Sequence, residues 1–413
     1  MLAVAGATRV AKRFFTRMSW TMTFAVVALL VIGVFFVYSA CYVSEESPVR
    51  LLYKKQIVWG LAGFLCYWAL AVTDYRHLRK LSWTFYAASI VLLILVLFMG
   101  TTIYGAKRWL MFLGIGVQPS EVAKFAAVFV LARKLSRPGL NLGEPRALLE
   151  VAGIALVPLC LILLEPDFGT ALVFIPMTLA MMYAAGMPVR ILGIIFLIGA
   201  VLLGVLMAAM FVPPALGVTR EEHGDILKWI GLRTYHYDRL AVFFDADLDP
   251  LAKGWNKRQS EIAVGSGGLF GKGYLKGTQN ILGFLPRSVA PTDFIFSVIA
   301  EEKGFMGSLT VLGLFSILMV SGVRTALSAP DKMGRLLCVG FLSLLFCHVF
   351  VNIAMTVGLM PITGLPLPLL SYGGSFMMVT MASLGIVQSV RIHAKQPKVA
   401  FQQRGLWGPA VGG

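Results

Sequence analysis

Apolar residues fall into ten long runs along the chain, and polar residues are largely confined to the stretches between them. The runs are Ser19 to Ala40, Gln56 to Thr73, Ser82 to Gly100, Ser120 to Leu135, Leu148 to Leu164, Thr170 to Ala185, Ile191 to Val212, Phe294 to Val320, Leu336 to Leu359 and Ser371 to Val390. A bilayer core about 30 Å thick needs about 20 apolar residues per helical crossing. Each run is therefore long enough to span, with some tilt or re-entrance. The pattern predicts an all-α polytopic membrane protein with about ten transmembrane helices, residues 1–413 forming a single integral membrane domain.

The charges between the runs orient this bundle. Arg9, Lys12, Arg13 and Arg17 precede the first run; Arg76, Arg79 and Lys80 follow the second; Arg133, Lys134, Arg137 and Arg146 separate the fourth and fifth. Arg190 lies between the sixth and seventh, Arg324, Lys332 and Arg335 between the eighth and ninth, and Arg391, Lys395 and Lys398 after the tenth. Every second loop is basic, and basic short loops face the cytoplasm. Both termini are thus expected to be cytoplasmic. One long segment, 213–291, separates the seventh and eighth runs and is placed outside as a large extracytoplasmic loop. Its many cations, among them Arg220, Lys228, Arg233, Arg239, Lys253, Lys272, Lys276 and Arg287, escape the orientation rule because the loop is long. Phosphate binding and attraction to headgroups explain them equally well. Within it, Ile226, Leu227, Trp229, Ile230 and Leu232 recur at helical spacing and predict an interfacial helix. Gln259 to Val264 reads as a short helix ended by glycines. The glycine-dense stretch Gly265 to Gly277 fails the Walker pattern at Ser266 and Gly273 and fails GxGxxG at Phe270, so a flexible hinge is the plainer expectation and close approach to a substrate the sharper one.

Composition agrees with a membrane reading: 58% hydrophobic, 14% charged, mean hydropathy +0.80. The net charge of +16 would suggest nucleic acid in a soluble protein, but here the basic residues sit in loops between apolar runs, where anionic lipid headgroups account for many of them. Nucleic acid is not an expected partner. The five cysteines show neither a paired framework nor metal-ligand spacing. The first run is too long for a removable signal peptide, and this also counts against the lipoprotein-like Tyr38-Ser39-Ala40-Cys41.

Ionisable groups inside or at the edge of spans are costly, which makes each a functional candidate. Glu121 and Lys124, three residues apart, share a helix face and can pair as an internal salt bridge or meet a substrate. Asp167, between the fifth and sixth runs, is expected to cap the sixth helix, with a role in a cavity as the alternative. Asp293, at the head of the eighth run beside Phe294 and Phe296, suits a partly desolvated general base, against capping by Thr292 or Asp293. Glu301 and Glu302 lie two turns deeper and need partners, which Lys303 supplies in part. Lys107-Arg108-Trp109 lies in an outer loop, where Arg108 can clamp a pyrophosphate and Trp109 can anchor at the interface. Ser371 to Ser375 reads as a helix start. No HExxH, GxSxG or paired Cys/His set is present, which leaves metalloprotease and serine-hydrolase chemistry without support.

Taken together, these segments resemble the SEDS family (shape, elongation, division and sporulation), whose members include RodA and FtsW. The resemblance is carried by Gly105-Ala106-Lys107-Arg108-Trp109, Gln118-Pro119-Ser120-Glu121 with Lys124, Glu165-Pro166-Asp167-Phe168-Gly169-Thr170, Gly265 to Gln279, Thr292-Asp293-Phe294-Ile295-Phe296 with Glu301-Glu302, and Pro366 to Ser375, all in family order. Gly267 to Gly273 with Gly277-Thr278-Gln279, and Val351-Asn352-Ile353, look more like the RodA (elongation) branch. The resemblance implies a peptidoglycan glycosyltransferase of the bacterial cytoplasmic membrane. Its substrate would be lipid II, a disaccharide-pentapeptide on undecaprenyl pyrophosphate, and its partner a class B penicillin-binding protein. It places the essential aspartate at Asp293 and a substrate-binding set at Lys107, Arg108, Glu121, Lys124, Asp167, Gln259, Ser371 and Gly373. A divalent cation, Mg or Mn, is compatible with such pyrophosphate chemistry, although no ligand set for one is legible. Many family members carry Leu-Pro-Glu-x-His-Thr-Asp where this chain has Leu285 to Asp293, two residues longer and without the Glu or the His, so those two roles are not carried over. Lys257 and Arg258 are also atypical.

Two other functions compete. A lipid II flippase would line a path through the bilayer with charges, whereas Arg108, Glu121, Asp167 and Asp293 cluster near the outer face. A non-catalytic scaffold of the cell-wall synthase would not need the Asp293 carboxylate. An O-antigen ligase or polymerase acts on related lipid-linked sugars but lacks the joint motif match.

Overall fold

A computed structural model of the chain describes residues 15–43, 47–103, 106–112, 115–165, 167–229, 234–245 and 253–394. Its helices are α1 Trp20–Cys41, α2 Ser47–Arg50, α3 Leu52–Val72, α4 Tyr75–Met99, α5 Pro119–Leu135, α6 Pro145–Leu164, α7 Phe168–Ala184, α8 Val189–Ala215, α9 Arg220–Trp229, α10 Thr234–Phe244, α11 Lys253–Ser266, α12 Thr278–Ile281, α13 Ile295–Leu327, α14 Lys332–Thr356 and α15 Gly374–Ile392. All ten apolar runs lie in helices: α1, α3 to α8 and α13 to α15. Eight of these are long and apolar enough to cross a membrane.

The other two, α5 and α7, have 17 residues each. At about 1.5 Å per residue each is roughly 25 Å long, short of the bilayer core. Helix α5 carries four charges yet is buried along most of its length, packed by α4, α6, α7, α14 and α15. A helix surrounded by protein has no need of an apolar surface of lipid-spanning length. Helix α8 is the opposite case. It is apolar all round, and Met210 is its one buried residue, as expected of a helix whose solvent is lipid. It runs on through Pro213 and Pro214, so the long loop begins slightly later than the hydropathy indicates.

The basic segments gather at one end of the bundle. Arg17 donates to the Ala394 carbonyl and Arg391 to the Arg17 carbonyl. Ser389 bonds the Thr73 carbonyl and accepts from the Tyr75 amide. Tyr75 donates to Asp331, and Arg133 to the Arg79 carbonyl, 3.0 Å away.

Two features of the opposite end were not expected. The loop after α4 is a three-stranded antiparallel sheet, β1 Thr101–Ile103, β2 Ala106–Phe112 and β3 Ile115–Val117, in the order β1-β2-β3. The glycine-dense stretch, in turn, is no hinge. Lys272 and Gly273 donate their amides to the Glu301 and Glu302 carbonyls at 3.0 Å, while Phe305 and Met306 donate to the Gly268 and Leu269 carbonyls. These bonds replace those that α13 loses at Gly304, whose φ of 64° breaks the helix. A Cβ on Gly267 would lie 2.0 Å from the Ala300 carbonyl oxygen, and one on Gly271 2.2 Å from that of Glu302. The close approach is therefore to α13 itself.

The two buried glutamates find their partners here. Glu301 accepts from Lys272 Nζ at 2.7 Å and the Gln279 amide at 2.9 Å. Glu302 accepts from Ser39 and the Leu275 amide. Lys303, expected to supply part of this, attracts Glu302 through space without a hydrogen bond to it, and sets its ammonium 5.6 Å from the centre of the Tyr274 ring. The expected interfacial helix is α9, with Ile226, Leu227 and Trp229 on it; Ile230 and Leu232 lie outside the described residues. Lys257 clamps α11 to α10 through the Phe243 carbonyl, 2.6 Å away.

Candidate active site at the end of the bundle opposite the basic loops

Strand β2, the start of α5 and the start of α7 build one half of the site. Alternation along β2 turns Arg108 inward and leaves Lys107 exposed, so the two adjacent cations face opposite ways. Arg108 Nη1 lies 3.6 Å from Asp167 Oδ1. Asp167 caps α7, as expected, by accepting from the Thr170 amide at 3.2 Å and from its hydroxyl at 3.0 Å. It also accepts from Gln118 Nε2 at 3.2 Å, so the cap and the cluster are the same carboxylate.

Below this lies the Glu121–Lys124 pair, 2.8 Å apart and almost wholly buried. Lys124 Nζ is also 2.8 Å from His348 Nε2 on α14. A lysine ammonium only donates, so His348 accepts at Nε2 and carries its proton on Nδ1. The Phe376 ring closes this group, 5.9 Å from Lys124 Nζ and 4.9 Å from the His348 ring. These side chains line a cavity that continues past Leu344 toward Ser383.

Asp293 occupies the other half. It is half-buried, with Phe294 and Phe296 buried beside it. Neither Thr292 nor Asp293 caps α13. The N-cap is Phe294, which makes no side-chain cap bond, and the Thr292 hydroxyl turns back to the Val289 carbonyl at 3.1 Å. The backbone before α13 folds into a turn on Val289, whose carbonyl accepts the amides of Thr292, Asp293 and Phe294. That turn leaves Phe294, and neither Thr292 nor Asp293, at the N-cap position.

Asn352 holds this segment by donating to the Asp293 carbonyl at 2.8 Å and the Leu365 carbonyl at 2.7 Å. Ser371 donates to the Thr292 carbonyl and accepts from the Leu367 amide at 2.8 Å. Ser371 is thus fully engaged in positioning the start of α13, and Gly373 is the N-cap of α15. Gln259 is buried on α11. The segment joining the two halves is Thr363 to Leu365. A Cβ on Gly364 would lie 3.6 Å from Asp293 Oδ2, and one on Gly169, in the first turn of α7, would lie 2.9 Å from the Thr363 carbonyl.

Three participants were missed from sequence: Gln118, Glu165 and His348. Glu165 is buried, and neither of its oxygens has a hydrogen-bond partner. Burial first, and then the neighbouring Asp167 carboxylate, push its carboxyl up to about 8, against the pull of Arg108. His348 had a usable signal, since it is an ionisable side chain within an apolar run. Among the described residues no three His, Cys, Asp or Glu side chains come together as a metal cage.

The chain matches the family model FTSW_RODA_SPOVE, described as cell cycle protein, over residues 20–396. It is 34% identical to the peptidoglycan glycosyltransferase RodA of Treponema pallidum, over 91% of this chain and 98% of that protein. It is 36% identical to the peptidoglycan glycosyltransferase MrdB of Escherichia coli K12, over 91% and 94%. The fold resembles a chain of a solved peptidoglycan synthase complex that coordinates polymerization and crosslinking (TM-score 0.69, 30% identity, 92% of this chain and 99% of that one). It also resembles the rod shape determining protein RodA of Thermus thermophilus (TM-score 0.63, 30% identity, 92% and 98%). The chain belongs to the FtsW/RodA/SpoVE family of cell cycle proteins.

Proposed function

We propose that the chain is a peptidoglycan glycosyltransferase that polymerises lipid II at the outer face of the bacterial cytoplasmic membrane during cell-wall elongation, in a synthase with a class B penicillin-binding protein. The observation that carries this reading is the half-buried Asp293, held at its backbone by Asn352 and Ser371, at the same end of the bundle as two cations fixed by carboxylates, Arg108 and Lys124.

The chemistry follows from this pairing of base and cations. The Asp293 carboxylate takes the proton from the acceptor sugar's hydroxyl, whose oxygen forms a bond to the anomeric carbon of the donor. The bond from that carbon to the phosphate oxygen breaks, and undecaprenyl pyrophosphate leaves with the electron pair. Arg108, with Lys124 behind it, offsets the charge that develops on the leaving group. Cations already held in place by Asp167 and Glu121 need little rearrangement to do so.

The test is product chemistry. Purified protein, with its transpeptidase, is given lipid II, and glycan polymer and undecaprenyl pyrophosphate are both quantified. The reading expects one pyrophosphate for each bond made. Movement of intact lipid II across the bilayer with no bond cleavage would sink it in favour of a flippase.

A further inference from the structure

The geometry points to a second lipid site: a notch between α1, α13 and the glycine-dense loop that binds the phosphate of an anionic glycerophospholipid of the outer leaflet. This goes beyond the glycosyltransferase reading and does not depend on it.

The starting observation is Lys303, an exposed cation within the span of α13. A charge on a lipid-facing surface is costly and calls for a partner. Of the two acids nearest in sequence, Glu302 offers Lys303 a Coulombic attraction only, and both carboxylates have their hydrogen bonds taken by other groups. Glu301 is buried and bonded to Lys272 and Gln279, and Glu302 to Ser39 and Leu275. What faces the Lys303 ammonium is the Tyr274 ring, 5.6 Å from its centre. That ring is fixed in turn: its hydroxyl donates to the Phe35 carbonyl at 2.9 Å, and it stands edge-on to Phe36 at 5.9 Å. Lys276, exposed, rises from the same loop two residues on. The loop itself is pinned to the Glu301 and Glu302 carbonyls, one residue from Lys303. The backbone segments that carry the two lysines are therefore bonded to each other.

The surroundings define the ligand. Phe35 lies six residues before the end of α1 at Cys41, which places the Tyr274 ring about 9 Å below the outer end of that span. From there a lysine can snorkel up to lipid phosphate level. The rim is apolar and exposed: Phe270 (76%), Leu269, Phe305, Met306 and Leu309. Cations beneath the headgroup layer with an apolar wall running deeper fit a phosphate joined to acyl chains better than a free anion. The notch shares α13 with the candidate active site but lies away from its chemistry: Lys303 is ten residues beyond Asp293, about 15 Å along the helix, and Arg108 and Asp167 are on β2 and at the start of α7.

The experiment compares wild type and Lys303→Leu in nanodiscs of phosphatidylcholine with and without phosphatidylglycerol. It reads the lipids retained in native mass spectrometry and the unfolding temperature. Wild type is expected to retain phosphatidylglycerol over phosphatidylcholine by on the order of tenfold, equivalent to about 1.4 kcal/mol, and to be stabilised by it. Lys303→Leu should lose both effects while being at least as stable as wild type in phosphatidylcholine alone, which separates loss of a site from loss of fold. Lys276→Gln should weaken the preference partially. Equal retention by wild type and Lys303→Leu would overturn the proposal. So would displacement of the lipid by soluble glycerol phosphate, which would mean a free-anion site, or by undecaprenyl pyrophosphate, which would mean a substrate site.

Discussion

Replacing Lys124 by Met removes the cation from a sealed group. The side chain is 2% exposed, and its ammonium lies 2.8 Å from both Glu121 and His348. Met keeps most of the volume, so little of the cost is packing. What remains is a glutamate, 3% exposed, that has lost its counter-charge. Breaking a buried ion pair from one side costs about 3–5 kcal/mol, because the surviving charge stays desolvated. Removing both charges with Glu121→Gln and Lys124→Met leaves a neutral, well-filled site, and such replacements are often close to neutral. The double variant is therefore expected to be more stable than Lys124→Met alone by about 3–5 kcal/mol, or roughly 150- to 5,000-fold in the unfolding equilibrium. Reversible unfolding in mixed detergent and SDS micelles, followed by tryptophan fluorescence, measures all four corners of the cycle. Two single variants that each cost less than about 1 kcal/mol and simply add would refute the claim that the pair is a closed, desolvated unit.

Three further outcomes are expected. Gly271→Ala, at φ 80° and with its new Cβ 2.2 Å from the Glu302 carbonyl, should destabilise by more than the ~1–2 kcal/mol of a left-handed alanine, whereas Gly268→Ala, at φ 56° in open space, should cost only that much; equal thermal shifts would contradict the packed-loop account. Glu165 is held neutral in the fold with its carboxyl raised to about 8, so its contribution is complete below the unfolded value near 4.5 and fades as pH rises through about 8. Glu165→Gln should match wild type at pH 5 and exceed it at pH 8.5, and parallel stability curves for the two would dismiss the buried neutral carboxyl. Asn352→Leu strands the Asp293 and Leu365 carbonyls at a cost of about 1–3 kcal/mol, and should lower polymerisation about tenfold or more in protein that still folds; unchanged turnover would show that the bonds to Asn352 do not position Asp293.

The helices were legible because lipid imposes one requirement, apolar length: all ten runs lie in helices and eight of those helices meet it, while α5 and α7 fall short. The site was legible in pieces. Asp167 announced itself as a cap, since a carboxylate ahead of an apolar run has few other local roles, but its contacts with Gln118 and Arg108 depend on the small sheet around β2, whose pairing the sequence does not signal. The Gly265 to Gly277 stretch was misread for a related reason. Glycine density gives freedom to an isolated chain and close approach to a packed one, and only the carbonyls of Ala300 and Glu302 decide between them. Lys303 was paired with its neighbours in sequence, whereas Glu301 and Glu302 reached across the fold to Lys272 and Ser39. Capping of α13 by Thr292 or Asp293 was not met because a turn on the Val289 carbonyl, which sequence spacing does not reveal, delays the helix so that Phe294 is its N-cap.

The central claim is that the Asp293 carboxylate is the base of a glycosyl transfer. The most direct test gives lipid II to wild type and Asp293→Asn, each first shown to be folded and bound to its transpeptidase, and resolves the glycan products. The account predicts polymer from wild type and none from Asp293→Asn, since the amide preserves shape and the backbone bond to Asn352 but cannot take a proton. Polymer of comparable amount from both would contradict it and remove Asp293 from the chemistry.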